Sequence, residues 1–317
     1  MAPKQVTVFG ASGFLGRHVV RRLAATGARI VAAVRDPEGA GFLRTMGDVG
    51  QIAPLGCDVR NPALVARALQ GSDAAVNLVG ILYETRRNRF AALHGEAPGI
   101  IGAAAKAAGI TSLVHISAVG ADPVAASAYA RSKGDGEAAL CDAFPQAVIL
   151  RPSVVFGPED DFFNRFAALA RLVPVLPLFG GGTNRFQPVY VCDVAEAVLR
   201  GLTQPDLRAR TLDLGGPRIA TFRELMEEIL AVTGRRCGLL PLPMAAADMI
   251  GFLGDIGAWF GIPPMLTRDQ ALLLRSDNVA RGDGFAVLGI RPTAMEAVLP
   301  TYLDRFRRTG RFRPSRV

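Results

Sequence analysis

Three residues in one stretch of the chain carry the makings of proton transfer. Tyr129 and Lys133 lie four positions apart within SAYARSK (127–133), and Ser117 closes the apolar run SLVHIS (112–117) that precedes them. Four positions is close to one helical turn, so a helix here puts the phenol and the ammonium on one face. An ammonium beside a phenol favours the phenolate and lowers the phenol's pKa from its usual value near 10. Tyr129 then becomes a usable proton donor, Lys133 is free to hold a ribose, and Ser117 can orient a carbonyl.

Such a set works only if strands and helices bring it to one place. Short apolar runs at 6–10, 29–34, 52–59, 74–80, 112–117 and 147–157 alternate with helical patterns such as FLGRHVVRRLAATG and NPALVARALQG. Apolar strands separated by helices predict a doubly wound parallel sheet of the Rossmann type, covered on both faces. The rhythm changes after Gly157. We therefore expect a dinucleotide-binding domain over 1–160, its sheet completed by parts of 185–216, and a smaller C-terminal α/β lobe over 161–317.

The first strand runs into GASGFLG (10–16), with glycines at 10, 13 and 16. Glycines at a strand–turn–helix junction let backbone approach a pyrophosphate, and the helix start offers free N–H groups and a positive dipole end. Gly10, Ser12, Gly13, Phe14, Leu15 and Gly16 are the expected cradle. At the end of the second strand, where an acid would bond a ribose 2′-hydroxyl, the chain has Val34 followed by Arg35. A guanidinium there suits a 2′-phosphate, so the expected cofactor is NADPH, with Arg17 as a helper. Pairing of Arg35 with Asp36 is the plainer reading. Asp58 and Val59 are expected to border the adenine, and Gly80 to lie where backbone passes the cofactor.

The 317 residues are half apolar and carry a net charge of +8. Six of the arginines fall in RFRRTGRFRPSRV (305–317); setting those six aside leaves +2 for the rest. That tail is either a solvated terminus or a surface for an acidic protein or anionic lipid, and no nucleic-acid partner is expected. Four cysteines without a CxxC and three scattered histidines form neither a disulfide framework nor a metal set. No signal or transit pattern is read at the N terminus, and no run is long and apolar enough to span a bilayer. The segment PLPMAAADMIGFLGDIGAWFGIPP (241–264) predicts an apolar helix between Pro243 and Pro263. Two readings stand open for it: a core helix of the lobe, or a surface that docks a partner or lies on a membrane. Gly180, Gly181, Gly182 and Arg185 are either a tight turn or a substrate contact.

GASGFLG, Asp58, the Ser117–Tyr129–Lys133 set and RPSVVFGP (151–158) together resemble the extended or atypical branch of the short-chain dehydrogenase/reductase superfamily. FPQAVILRPSVVFGPEDDFFNRFA, FGGGTNRFQPVYVCDVAEAV and LTRDQ are more specifically similar to the NAD(P)H-binding accessory subunit of respiratory complex I. That resemblance implies a tightly held structural NADPH and a vestigial Tyr129–Lys133 pair. It implies docking on the peripheral arm of complex I, near the membrane surface, and a bacterial protein that is cytoplasmic and peripheral at the inner face of the plasma membrane. The residues by themselves also allow a free NADP-dependent reductase or epimerase.

Overall fold

The structure is a computed structural model that describes residues 3–307 and Gly310. It divides into two compact units. The first takes residues 1–152, 192–214 and 281–290; the second takes 153–191, 215–280 and 291–317.

The first unit is built on a seven-stranded parallel sheet. Its strands in chain order are β1 (Gln5–Phe9), β2 (Arg29–Val34), β3 (Ile52–Gly56), β4 (Ala74–Asn77), β5 (Ser112–Ile116) and β6 (Val148–Pro152), completed by the edge strand Thr211–Leu214. In space the order is the edge strand, β6, β5, β4, β1, β2, β3. Val6, Val8, Ala32, Ala75, Val76, Leu113 and Leu150 are sealed from solvent because helices cover both faces. On one face α2 (Pro62–Leu69), α3 (Ala97–Ala107) and α4 (Ala128–Ala143) enclose Val65, Leu69, Ile101, Leu113, Leu140 and Phe144. On the other, α1 (Phe14–Ala24) and the helix Val191–Thr203 are joined by the Arg22–Glu196 ion pair at 2.6 Å. Caps start the helices where the sequence supplies them. Asn61 accepts from the N–H groups of Ala63 and Leu64 at the head of α2, and Ser127 accepts from Ala130 N at the head of α4.

The order runs outward from β1 in both directions, to β2 on one side and β4 on the other. This is the switch point at which a doubly wound sheet opens a crevice at its carboxyl edge. Gly10 follows β1 and Gly80 follows β4, so the crevice lies between these two turns.

The expected strand 147–157 is two pieces. β6 ends at Pro152, and Val155–Phe156 pairs instead with Val189–Tyr190 in the second unit. Pro152 has no amide hydrogen to carry the ladder onward, which suits a strand end. The second unit has its own core of Phe156, Phe163, Leu176, Leu178, Phe222, Leu225, Ile229 and Leu299. Its helix Phe222–Thr233 begins with a capping box between Thr221 and Glu224 and ends on left-handed Gly234. Tyr302 donates a 2.6 Å hydrogen bond to Asp160 inside this core.

The helix Met244–Trp259 forms as its apolar composition predicts, but only Ala247, Gly251 and Ala258 are buried. Met249, Phe252, Leu253, Ile256 and Trp259 face outward, so it is not a core helix. Asp248 and Asp255 on it are paired with Arg275 and Arg268. No helix of the described residues is long and apolar enough to cross a membrane. The basic tail mostly lies outside the described residues, but its first residues are packed: Phe306 is buried, Arg305 bonds Asn164, and Arg307 bonds the Val232 carbonyl.

Candidate functional site

The glycine loop follows from close approach. Gly10 sits at φ 79°, in the left-handed region, and a Cβ on it would come 3.1 Å from the Leu78 backbone at the exit of β4. A Cβ on Gly16 would overlap the carbonyl oxygens of Gly10 and Ala11, so this position lets α1 seat against the β1 turn. Gly13 has ordinary dihedrals and is the N-cap of α1. A Cβ there would meet only the Gly10 carbonyl, at 3.3 Å, and otherwise points into open space. The first bond of the α1 ladder is Arg17 N to Gly13 O, which leaves the N–H groups of Phe14, Leu15 and Gly16 ahead of the ladder. No acid stands in that first turn. The arrangement suits a pyrophosphate: an open cradle at Gly13, N–H groups, and a dipole end that no carboxylate neutralises.

Arg35 is exposed at the end of β2, past buried Val34, and donates to Asn88 Oδ1 at 3.0 Å. It is not paired with Asp36, whose carboxylate instead accepts from the N–H groups of Glu38 and Gly39. Asp58, just past β3, is held by Arg60 through bonds of 2.6 and 2.9 Å, which keep its carboxyl below the usual carboxylate value. Arg60 also donates to the Arg87 carbonyl at 2.9 Å. The 81–90 loop is therefore tied to the ends of both β2 and β3, and Arg17 lies over the Phe42 ring nearby on α1. Val59 differs from its neighbour: its side chain is buried in the sheet core, leaving Asp58 as the polar group at that edge.

At the other end of the crevice, α4 carries Tyr129 and Lys133 one turn apart. Lys133 is 4% exposed and donates to the Ile116 carbonyl at 3.2 Å, next to Ser117 at the end of β5. Burial pulls its pKa down to about 8, against the opposing pull of Glu137. Glu137 is engaged by Arg151, with Arg151 Nε at 2.8 Å. Ser117 Oγ is buried without a hydrogen-bond partner among the described residues, an acceptor and donor left over beside the ammonium. Gly80 lies within reach: a Cβ on it would stand 3.6 Å from Lys133 Nζ.

Sequence reading missed the two histidines gathered here. His94 and His115 are 1% exposed and both lie close enough to Lys133 for its charge to act on them. Burial is the larger cause, and together the effects hold His94 at about 2 and His115 at about 3, so both rings are neutral. Nothing in their spacing revealed this, because His94 precedes α3, His115 lies within β5 and Tyr129 opens α4, three different elements of the chain. Asn88 was missed for the same reason, its one local signal being the basic run TRRNR (85–89); Arg60 was missed although it stands two positions from Asp58. Gly180, Gly181 and Gly182 in the second unit form a turn with φ of 60°, 76° and 71°, and Arg185 is held by Asp277 at 2.7 Å.

Comparison with known proteins joins this geometry to a family. The mitochondrial NADH dehydrogenase (ubiquinone) 1 alpha subcomplex subunit 9 of Mus musculus is 34% identical over 304 residues, covering 95% of this chain and 80% of that protein. The ceramide reductase of Caulobacter vibrioides is 30% identical over 254 residues, covering 80% of this chain and 78% of that one. Among solved structures, the dTDP-glucose 4,6-dehydratase of Streptomyces venezuelae, with NAD and TYD bound, shares the fold with a TM-score of 0.73 at 20% identity, over 95% of this chain and 96% of that one. Residues 6–215 match the model of the NAD dependent epimerase/dehydratase family. Because that match takes in more than half of the chain, all of the seven-stranded sheet but its first residue, Gln5, and every residue of the crevice, this chain belongs to the NAD dependent epimerase/dehydratase family.

Proposed function

We propose that the protein is an NADPH-binding accessory subunit of respiratory complex I, the NADH:ubiquinone oxidoreductase, in which the dinucleotide is chiefly structural. The observation that carries this reading is the identity of 34% to the mouse subunit 9 protein across 95% of the chain. Likeness due to dinucleotide binding alone would fade beyond the sheet, whereas this one continues through the second unit. Docking on the peripheral arm of the complex, near the membrane surface at the inner face of the plasma membrane, belongs to the same proposal.

In this reading the N–H groups of Phe14, Leu15 and Gly16 and the open cradle at Gly13 hold the pyrophosphate. Arg35 binds the 2′-phosphate, with Arg17 and Arg60 adding positive charge. Asp58 borders the adenine, and Lys133 holds the nicotinamide ribose. Bound NADPH supplies a hydride if a carbonyl is presented to it. The choice of NADPH over NADH rests on an arginine, not an acid, at the end of β2.

A free NADP-dependent reductase is the second reading, and one observation favours it: the unpartnered hydroxyl of Ser117 beside Lys133 is where a carbonyl oxygen would be oriented. In that case Tyr129 delivers the proton and Lys133 lowers its pKa. The kinship with a ceramide reductase points the same way.

The deciding experiment isolates wild type and Tyr129→Phe from the native membrane. The structural reading expects both to co-purify with NADH dehydrogenase activity and to retain NADPH, identified by absorbance and mass, with quinone reduction nearly unchanged. Multiple turnover of NADPH with a carbonyl acceptor that vanishes in Tyr129→Phe establishes the reductase instead.

A further inference from the structure

We propose that His94 is a positioning residue for the nicotinamide end of the dinucleotide site, a neutral, single-tautomer strap between the turn after β4 and the Tyr129–Lys133 helix. The inference rests on the NADPH reading above and names a residue that reading does not use.

Its hydrogen bonds assign themselves. Ile81 N donates to His94 Nε2 at 2.9 Å, so Nε2 carries no proton. Ser132 Oγ spends its only hydrogen on the Tyr129 carbonyl, at 2.8 Å. The 3.2 Å contact between His94 Nδ1 and Ser132 Oγ must then be donated by the ring. A single directed chain results, from the Ile81 amide through the imidazole and the Ser132 hydroxyl to the backbone of Tyr129. A second proton on the ring would oppose the Ile81 N–H, which agrees with the ring remaining neutral far below its usual pKa.

The ring also shapes the ground on which Tyr129 stands. It packs edge-on against the Tyr129 ring at 5.4 Å and stacks on Phe90 at 5.2 Å, and Phe90 meets Tyr129 at 5.8 Å. Gly80, immediately before Ile81, lies between His94 Nε2 and Lys133 Nζ: a Cβ there would stand 3.7 and 3.6 Å from them. The backbone is arranged for this placement. Ala91–Glu96 is a π-helical turn, an irregularity that is frequent at functional sites. It fits against α4 because Gly136 has no Cβ, which would overlap the His94 carbonyl oxygen. A histidine needed only to fill space requires neither the directed chain nor the π-helical turn.

The test separates the two ends of the cofactor. Affinities of the full-length protein are measured for NADPH and for adenosine 2′,5′-bisphosphate, which has the 2′-phosphate end but no nicotinamide. The emission maximum and lifetime of bound NADPH are recorded as well. His94→Phe keeps the ring volume and the aromatic contacts but loses both hydrogen bonds. It is expected to weaken NADPH by about tenfold or more and to alter the bound emission, with the bisphosphate within about twofold of wild type. His94→Gln, which retains an acceptor and a donor, should recover most of the affinity. If His94→Phe binds NADPH like wild type, or weakens both ligands equally, the ring is packing and the proposal is wrong. If that variant does not fold, Ser132→Ala removes only the middle of the chain; wild-type affinity and emission there overturn the proposal equally. A wild-type protein that binds neither ligand removes the NADPH reading itself, and this proposal with it.

Discussion

In the proposed reading, cofactor choice rests on one side chain, Arg35. Its guanidinium projects from the end of β2 and is steadied by Asn88, so a 2′-phosphate would find an oriented donor there. Charge-assisted contacts of this kind contribute about 1.5–3 kcal/mol. Arg35→Ala should therefore weaken NADPH by that amount and leave NADH nearly unchanged, as measured by titration of both cofactors. Equal losses would mean that the arginine only supports the loop and that the 2′-phosphate assignment is mistaken.

At the scale of elements, the π-helical turn packs closely against α4 at Gly136. Gly136→Ala drives a methyl group into the His94 backbone, which cannot swing aside as a flexible side chain would. Overpacking of this sort costs about 1–3 kcal/mol. The variant should unfold at lower urea with an unchanged m-value and retain less NADPH. Gly95→Ala is the matched control: its Cβ would meet only Asp135 Cβ, at 3.9 Å, so stability should hold or rise slightly. An indifferent Gly136→Ala would show that the turn can shift freely and that α4 is not set by it.

For the molecule as a whole, the buried histidines set an acid limit. Their folded-state values of about 2 and about 3 lie below the ordinary 6.5. Between pH 6.5 and about 3 the unfolded chain binds protons that the folded chain excludes. Stability is therefore complete above pH 6.5 and falls as pH drops, by up to ~1.4 kcal/mol per pH unit for each histidine. Urea midpoints from pH 7 to pH 5 should decline in the wild type and decline less in His115→Gln. A flat profile in the wild type would mean that these rings are charged or solvated. Saturating NADPH should raise the midpoint at every pH, since only the folded state binds it.

The sequence by itself determined the doubly wound sheet and the glycine loop at its first turn. It also determined the pairing of Tyr129 with Lys133 on one helix face. Each of these is written locally: in apolar runs matched to strand length, in glycines at a strand–helix junction, and in a spacing of one helical turn. Tertiary structure alone decided what surrounds them. His94 and His115 lie near Lys133, and Asn88 reaches Arg35, because segments far apart in sequence end at the same sheet edge, a proximity that no spacing in the chain encodes; the Arg60–Asp58 pair, two positions apart, is local. The same holds for the helix Met244–Trp259. Its apolar composition forms the helix, but which residues are covered depends on its neighbours, and only Ala247, Gly251 and Ala258 are. Local propensity chooses the elements; burial and partner choice depend on contacts between residues far apart in sequence, and those exist only once the chain has folded.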